Sequence, residues 1–328
     1  MSRKIWISWE DHRRSRVLAE QFSCDYFPLL SSTNRLIRYP VLTVRTVVLL
    51  MRLRPDSVFC QNPSVVLAAI CSLLKGILRY SLIIDRHSNF KLDTLSDSSF
   101  KWRLFHVFSD YSIRKAELTI VTNAYLQEIV SEKGGNACIL QDKIPSLKPD
   151  SIAPEVFRNS RYHIMCVTMF DSDEPIDELV QAGKQLSNDF SLYLTGNYTK
   201  RFTESEKQKL SAYNILLCGF LDEKTYVDAL AHCDAIVVLT KQEYILNCGA
   251  YEALAVNNSL VLSDTVTLKE YFGEGPIYTN PTDCNAIVES ITSAVENRDS
   301  LRSLLLKRRE ELNDEWQEQF DFMWNRVK

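Results

Sequence analysis

The chain has 328 residues, 45% hydrophobic and 24% charged, with a formal net charge of −4. That composition belongs to an ordinary globular protein and excludes the disordered and fibrous classes, and at roughly 100–200 residues per domain the length predicts two domains with a cleft between them. Nine scattered cysteines, with no C-x-x-C pair and no His near enough to complete a ligand set, exclude a disulfide framework and a structural zinc site and favour a reducing compartment.

Taken in chain order, Lys4 to Trp9 is a β-favouring run, and Arg13 to Phe22 a helix with Val17, Leu18 and Phe22 as its apolar stripe. A helix over Val41 to Leu53 is stopped by Pro55. The strand Ser57 to Cys60 ends at Gln61-Asn62-Pro63, a helix covers Ser64 to Leu74, and the strand Ser81 to Ile84 ends at Asp85-Arg86-His87, which together make a βαβ unit. A helix through Trp102 to Lys115, the strand Leu118 to Val121, a helix from Ala124 and a strand at Cys138 to Leu140 complete the first half. Gln141 to Asn159, with Pro145, Pro149 and Pro154, has the composition of a linker. The alternation then restarts: strand Tyr162 to Thr168, helix Ile176 to Leu186, strand Ser191 to Leu194 ending at Thr195-Gly196, and strand Ile215 to Leu217 ending at Cys218-Gly219. Helix Lys224 to His232, strand Ala235 to Leu239, a helix from about Gly249, strand Ser259 to Leu262 and a helical stretch from Asn285 onward follow. Such alternation predicts an α/β protein of two doubly wound parallel sheets, whose ligands bind at the carboxyl ends of the strands.

The start, Met1 to Glu10, lacks an apolar leader, and Ser64 to Ile84 is interrupted by Lys75 and Arg79, so no transmembrane helix is expected and the protein reads as cytoplasmic. Charge is unevenly divided. Residues 1–150 sum to about +7 and the remainder to about −11. Arg35, Arg38, Arg45, Arg52 and Arg54 lie among Leu36, Ile37, Tyr39, Val44, Val47, Val48 and Leu49, a mixture that suits either anionic lipid headgroups or an ordinary solvated helix face. Nucleic acid is not an expected partner, because no stacking platform accompanies the basic residues and the chain is acidic overall.

At the strand ends, Gly249 at a helix start suits close approach of a pyrophosphate, and Glu252, placed on the first turn, suits a ribose diol; a charge-complemented helix start reads equally well. Gly249-Ala250-Tyr251-Glu252-Ala-Leu-Ala, followed by Leu260-Val-Leu-Ser-Asp264, resembles the donor-binding segment of the group 1 (E-x7-E) glycosyltransferases of GT-B fold. Cys218-Gly219-Phe220-Leu221-Asp-Glu-Lys-Thr-Tyr226 through Ala231-His-Cys-Asp234 is similar to that family's base-holding loop. Gln61-Asn62-Pro63 and Leu82-Ile-Ile-Asp85-Arg-His87-Ser-Asn89 resemble segments of the β-mannosyltransferase that extends lipid-linked chitobiose. Gln141-Asp142-Lys-Ile-Pro145 and Thr168-Met-Phe-Asp-Ser-Asp173-Glu174-Pro resemble it too.

The resemblance implies two Rossmann-like domains facing a cleft: an acceptor-binding domain over 1–155, a nucleotide-sugar-binding domain over 156–311, and a final helix, 312–328, that packs back on the first. It implies transfer of a sugar from a nucleotide diphosphate sugar to a glycan or lipid-linked acceptor of polysaccharide assembly, at the inner face of the cytoplasmic membrane. The donor would be held by Gly249, Ala250, Tyr251, Glu252, Gly219, Phe220 and Leu221, with Gly196, Lys200 and Arg201 at the diphosphate. His87 would lie near the donor sugar, with Asn62, Asp85 and Asn89 lining the acceptor side. The chain departs from the family in two places. Eight residues, not seven, separate Glu243 from Glu252, and the loop after the first strand, Glu10-Asp11-His12-Arg13-Arg14, has no glycine. A carboxylate or imidazole there suits an inverting displacement with a general base, while Asp11 also reads as a helix N-cap. Neither metal nor other cofactor is expected. A nucleotide-sugar 2-epimerase of the same fold and a catalytically degenerate scaffold in a polysaccharide-assembly complex are the alternatives.

Overall fold

The central strands are short runs such as Leu-Thr-Ile-Val and Ala-Ile-Val-Val, buried on both faces, which only a sheet covered by helices on both sides accommodates. The computed structural model describes residues 3–62, 64–87, 91 and 94–327, except the side chains of Arg35 and Leu36. Contacts divide the chain into two units: residues up to Lys143 together with those from Trp316 onward, and Ile144–Glu315.

The first unit runs β1 (Lys4–Ser8), α1 (Arg13–Gln21), β2 (Asp25–Pro28), α2 (Arg35–Leu53), β3 (Ser57–Asn62), α3 (Val65–Leu78), β4 (Ser81–Arg86), α4 (Phe100–Lys115), β5 (Leu118–Val121), α5 (Ala124–Glu132) and β6 (Ala137–Ile139). Its parallel sheet has the order β2-β1-β3-β4-β5-β6. Ile7 pairs with Cys60 and Gln61 with Asp85, so Ser8, Gln61 and Asp85 end neighbouring strands side by side. One face of the sheet, with Ile5, Val58 and Leu82, packs on α2 and α3; the other, with Trp6, Phe59 and Ile83, packs on α1 and on Trp316, Phe320 and Met323. Helix α2 begins six residues before the expected Val41, because Asn34 accepts a hydrogen bond from the Ile37 backbone and caps it, and Pro40 is accommodated within. Strand β2, unanticipated, is a half-exposed edge with little apolar signal.

The second unit runs β7 (Tyr162–Cys166), α6 (Ile176–Gln185), β8 (Phe190–Thr195), α7 (Glu204–Ser211), β9 (Ile215–Gly219), α8 (Glu223–His232), β10 (Ala235–Val238), α9 (Cys248–Val256), β11 (Leu260–Ser263), α10 (Val266–Phe272), β12 (Ile277–Thr279) and α11 (Cys284–Glu296). Its sheet, also parallel, has the order β12-β11-β10-β7-β8-β9. Alternate residues of the strands face two cores: Ile164, Leu192 and Val237 meet α6 and α11, while Met165, Tyr193 and Ile236 meet α8, α9 and α10. Helix α12 (Arg298–Val327) starts on the second core through Leu305 and Leu312. Its residues from Trp316 belong to the first unit. Among the described residues no helix is long and apolar enough to cross a membrane.

Candidate functional site

In the first unit the strand ends carry a charged cluster built on α1. Positions 14, 18 and 22 share one face of that helix, so Arg14 points inward with Leu18 and Phe22 and is buried. Its guanidinium donates to both oxygens of Asp85, with Nη2 at 2.9 Å from Oδ1, to Asp142 at 2.6 Å and to the Leu140 carbonyl at 2.8 Å. The side chains of Arg14 and Asp85 are 2% and 0% exposed. Burial alone raises a carboxyl's pKa, but the charges of Arg14 and His87 and their hydrogen bonds outweigh it and hold Asp85 well below the usual carboxylate range. Burial likewise opposes the charge of Arg14, and Asp85 and Asp142 more than restore it.

The second oxygen of Asp85 meets His87 Nδ1 at 3.0 Å. An ionised carboxylate only accepts, so this bond places the proton on Nδ1 and leaves the lone pair of His87 on Nε2. His12 stacks on His87, with ring centroids 5.0 Å apart and planes 25° from parallel. Burial, then the neighbouring His87, lowers the pKa of His12 against the opposing pull of Asp142 and Asp85, so His12 stays neutral near pH 7. His12 Nδ1, Ser15 Oγ on α1, Gln61 Nε2 on β3 and Ser64 Oγ just before α3 are buried without a hydrogen-bond partner among the described residues. Unused polar capacity of that kind, gathered at the carboxyl edge of a parallel sheet, suits a bound polar ligand.

The other residues read from the loop after β1 sit differently. The N-cap of α1 is His12, not Asp11. Asp11 is exposed and pairs with Arg16 at 3.4 Å, and Glu10 is exposed. Asn62 ends β3 and is buried. Asn89 lies outside the described residues.

In the second unit the expected donor residues lie at the carboxyl edge of the sheet. Gly196, at φ +95°, follows β8; a Cβ there would stand 2.1 Å from the Thr168 carbonyl oxygen, so only glycine fits between these two loops. Its backbone N–H donates to the Gly219 carbonyl at 2.9 Å. After β9, Phe220 stands largely exposed and Leu221 half-buried. The tightness at Gly249 has a packing cause, since a Cβ there would meet Val167 and Val238. Ala250 is buried beside it, and Tyr251 packs on Tyr271 and Phe272 in the core. Glu252 falls on the second turn of α9, not the first; it is 7% exposed, and its Oε2 accepts from Tyr226 at 2.5 Å.

Lys200 is paired with Asp171 at 2.5 Å and donates to the Met169 carbonyl, and Arg201 is paired with Asp177 at 3.5 Å. A diphosphate would have to share these cations with their carboxylates. Glu243 accepts from the Val266 backbone at 3.2 Å and so holds the start of α10. Glu174, which belongs to a resembling segment but carries no expected role, accepts from the Met169 and Asp171 backbones and shapes the loop after β7. Arg14 and Tyr226 were likewise missed. Arg14 was detectable because it falls on the apolar stripe of α1; nothing local to Tyr226 marks it as the partner of Glu252, 26 residues on. His106, His163 and His232 serve structural bonds to Thr94, Tyr193 and the Asp228 carbonyl. Among the described residues no group of three His, Cys, Asp or Glu side chains is arranged to hold a metal ion.

Two doubly wound parallel sheets in these strand orders make the GT-B fold, and solved structures agree across nearly the whole chain. Sucrose-phosphate synthase from Thermosynechococcus elongatus superposes with a TM-score of 0.76 at 15% identity, covering 98% of this chain and 97% of that one. Anabaena HepE in complex with UDP-glucose superposes with a TM-score of 0.71 at 12% identity, covering 98% and 99%. A Listeria monocytogenes chain assigned as a UDP-N-acetylglucosamine 2-epimerase gives 0.61 at 11% identity, covering 93% and 91%. No protein-family model matches the sequence. No curated protein matches it either.

Proposed function

We propose that this protein is a glycosyltransferase that moves a sugar from a nucleotide diphosphate sugar to a lipid-linked or cell-envelope polysaccharide acceptor, working against an anionic membrane surface at its inner face. The observation that carries the reading is the carboxylate-oriented imidazole of His87 at the edge of the first sheet. In this account the acceptor hydroxyl loses its proton to His87 Nε2 as its oxygen forms the new bond to the anomeric carbon. The bond from that carbon to the diphosphate breaks, and the electron pair leaves with the nucleoside diphosphate. Asp85 stays ionised throughout because Arg14 clamps it, so it fixes the tautomer and supports the imidazolium that forms. Neutral His12 gives the cationic ring a stacking partner without a competing charge.

The donor is assigned to the second unit. Exposed Phe220 offers a face to the base, and Glu252, steadied by Tyr226, takes the ribose hydroxyls. HepE, of the same fold, was solved with UDP-glucose, which supports a nucleotide-sugar ligand. No metal or other cofactor is assigned a part.

The fold also serves an assigned epimerase, so fold alone does not choose the reaction. Incubation with a panel of nucleotide sugars, with and without lipid-linked saccharides, separates the readings. Transfer predicts nucleoside diphosphate release that depends on the acceptor. Conversion of the donor without any acceptor would mean an epimerase, and binding without turnover a scaffold.

A further inference from the structure

Helices α2 and α3 cover the same face of the first sheet and pack side by side, both antiparallel to the strands they connect. Their C-terminal halves leave an aliphatic strip outside. Val44, Val48 and Met51 of α2 and Leu73 and Ile77 of α3 recur at intervals of three and four residues and are between 56% and 74% exposed. Five large apolar side chains left in water on two touching helices form a patch rather than scattered exposure.

The charge around the strip is mainly positive; the exception beside it is Glu117, paired with Lys75 of α3 at 2.6 Å. Between Asp25 and Asp85 the chain carries seven Lys and Arg and a single carboxylate, Asp56. Asp56 lies between α2 and β3, where it accepts from the Arg3 backbone. Arg52, Arg54 and Arg79 are exposed at the ends of the two helices. From these observations we propose that the C-terminal halves of α2 and α3 form a docking surface for an anionic phospholipid bilayer, with the aliphatic strip entering the headgroup boundary and the arginines meeting lipid phosphates.

Charge selects this occupant over the others. A second copy seated on the same face would set one cationic rim against another. Nucleic acid would need stacking rings, and the strip is aliphatic. The surface rests on the membrane contact of the proposed function and gives it a place in the fold; it uses none of the residues assigned to sugar transfer, so flotation can fail while transfer persists.

Flotation of the full-length protein with vesicles tests it, using phosphatidylcholine alone and phosphatidylcholine with phosphatidylglycerol. The protein should float with the anionic vesicles at low salt and not with the neutral ones. Arg52→Glu with Arg79→Glu should lower the partition at least about thirty-fold, through loss of two surface cations. Val48→Glu with Ile77→Glu should lower it comparably, with unchanged thermal unfolding in both variants. All four side chains are exposed, so folding should be spared. Absence of wild-type flotation at low salt, equal flotation of the variants, or a wild-type dimer that Val48→Glu with Ile77→Glu dissolves would overturn the proposal.

Discussion

The imidazole rings of His12 and His87 stack with centroids 5.0 Å apart, so a proton on one ring opposes a proton on the other. Burial adds to this at His12 and lowers its pKa from the ordinary 6.5. His12 should therefore titrate below 6.5 in the folded protein, measured from its imidazole resonances by NMR. The linkage has a definite sign. The unfolded chain binds this proton more tightly than the folded one, so His12 costs no stability above about pH 6.5 and weakens the fold as pH falls through and below that value. His12→Phe, which keeps the stack, should flatten that part of the stability profile.

Breaking the Arg14–Asp85 pair should be expensive. Asp85→Asn leaves the buried guanidinium with Asp142 and the Leu140 carbonyl but without its bidentate partner, and removal of one member of a buried pair costs about 3–5 kcal/mol. Urea unfolding measures this. Replacing both residues with apolar ones of similar volume should cost less than Asp85→Asn alone, since the two fully buried charges are then both gone and only Asp142, 20% exposed, loses its partner.

Tyr226→Phe removes the hydroxyl that donates to Glu252. A hydrogen bond to a charged group contributes about 1.5–3 kcal/mol, and Glu252→Ala should weaken nucleotide-sugar binding by a similar amount. Calorimetric titration with UDP-glucose checks both; unchanged affinity in folded Glu252→Ala would remove the ribose role.

Gly196→Ala should destabilise the second unit by more than about 1 kcal/mol, because φ +95° disfavours a side chain and its Cβ would collide with the Thr168 carbonyl. Thermal unfolding reads the loss. The first unit depends instead on the end of α12, where Phe320 stacks on Trp316 and tilts against Phe22. Phe320→Ala should cost about 3–5 kcal/mol by the same measurement.

Much of this architecture was legible in the sequence because parallel strands buried on both faces are continuous apolar runs: Leu118–Val121 and Ala235–Val238 stand out against their surroundings. The edges were not. Asp25–Pro28 and Ile277–Thr279 are short, with no residue of the first and only Thr279 of the second buried, and Pro40 hides the first turns of α2 from a reading that treats proline as a boundary. The candidate site divides in the same way. His87, Asp85 and His12 were readable from strand ends, whereas the partners Arg14 and Tyr226 depend on contacts across 71 and 26 residues that no local pattern encodes.

Single-turnover transfer by His87→Gln, with nucleotide-sugar affinity measured in parallel, tests whether His87 Nε2 takes the acceptor proton. The rate of transfer should fall by about 10²–10⁴ with donor affinity unchanged, since a positioned general base contributes about that much. Transfer at the wild-type rate by a folded, donor-binding His87→Gln protein would contradict it.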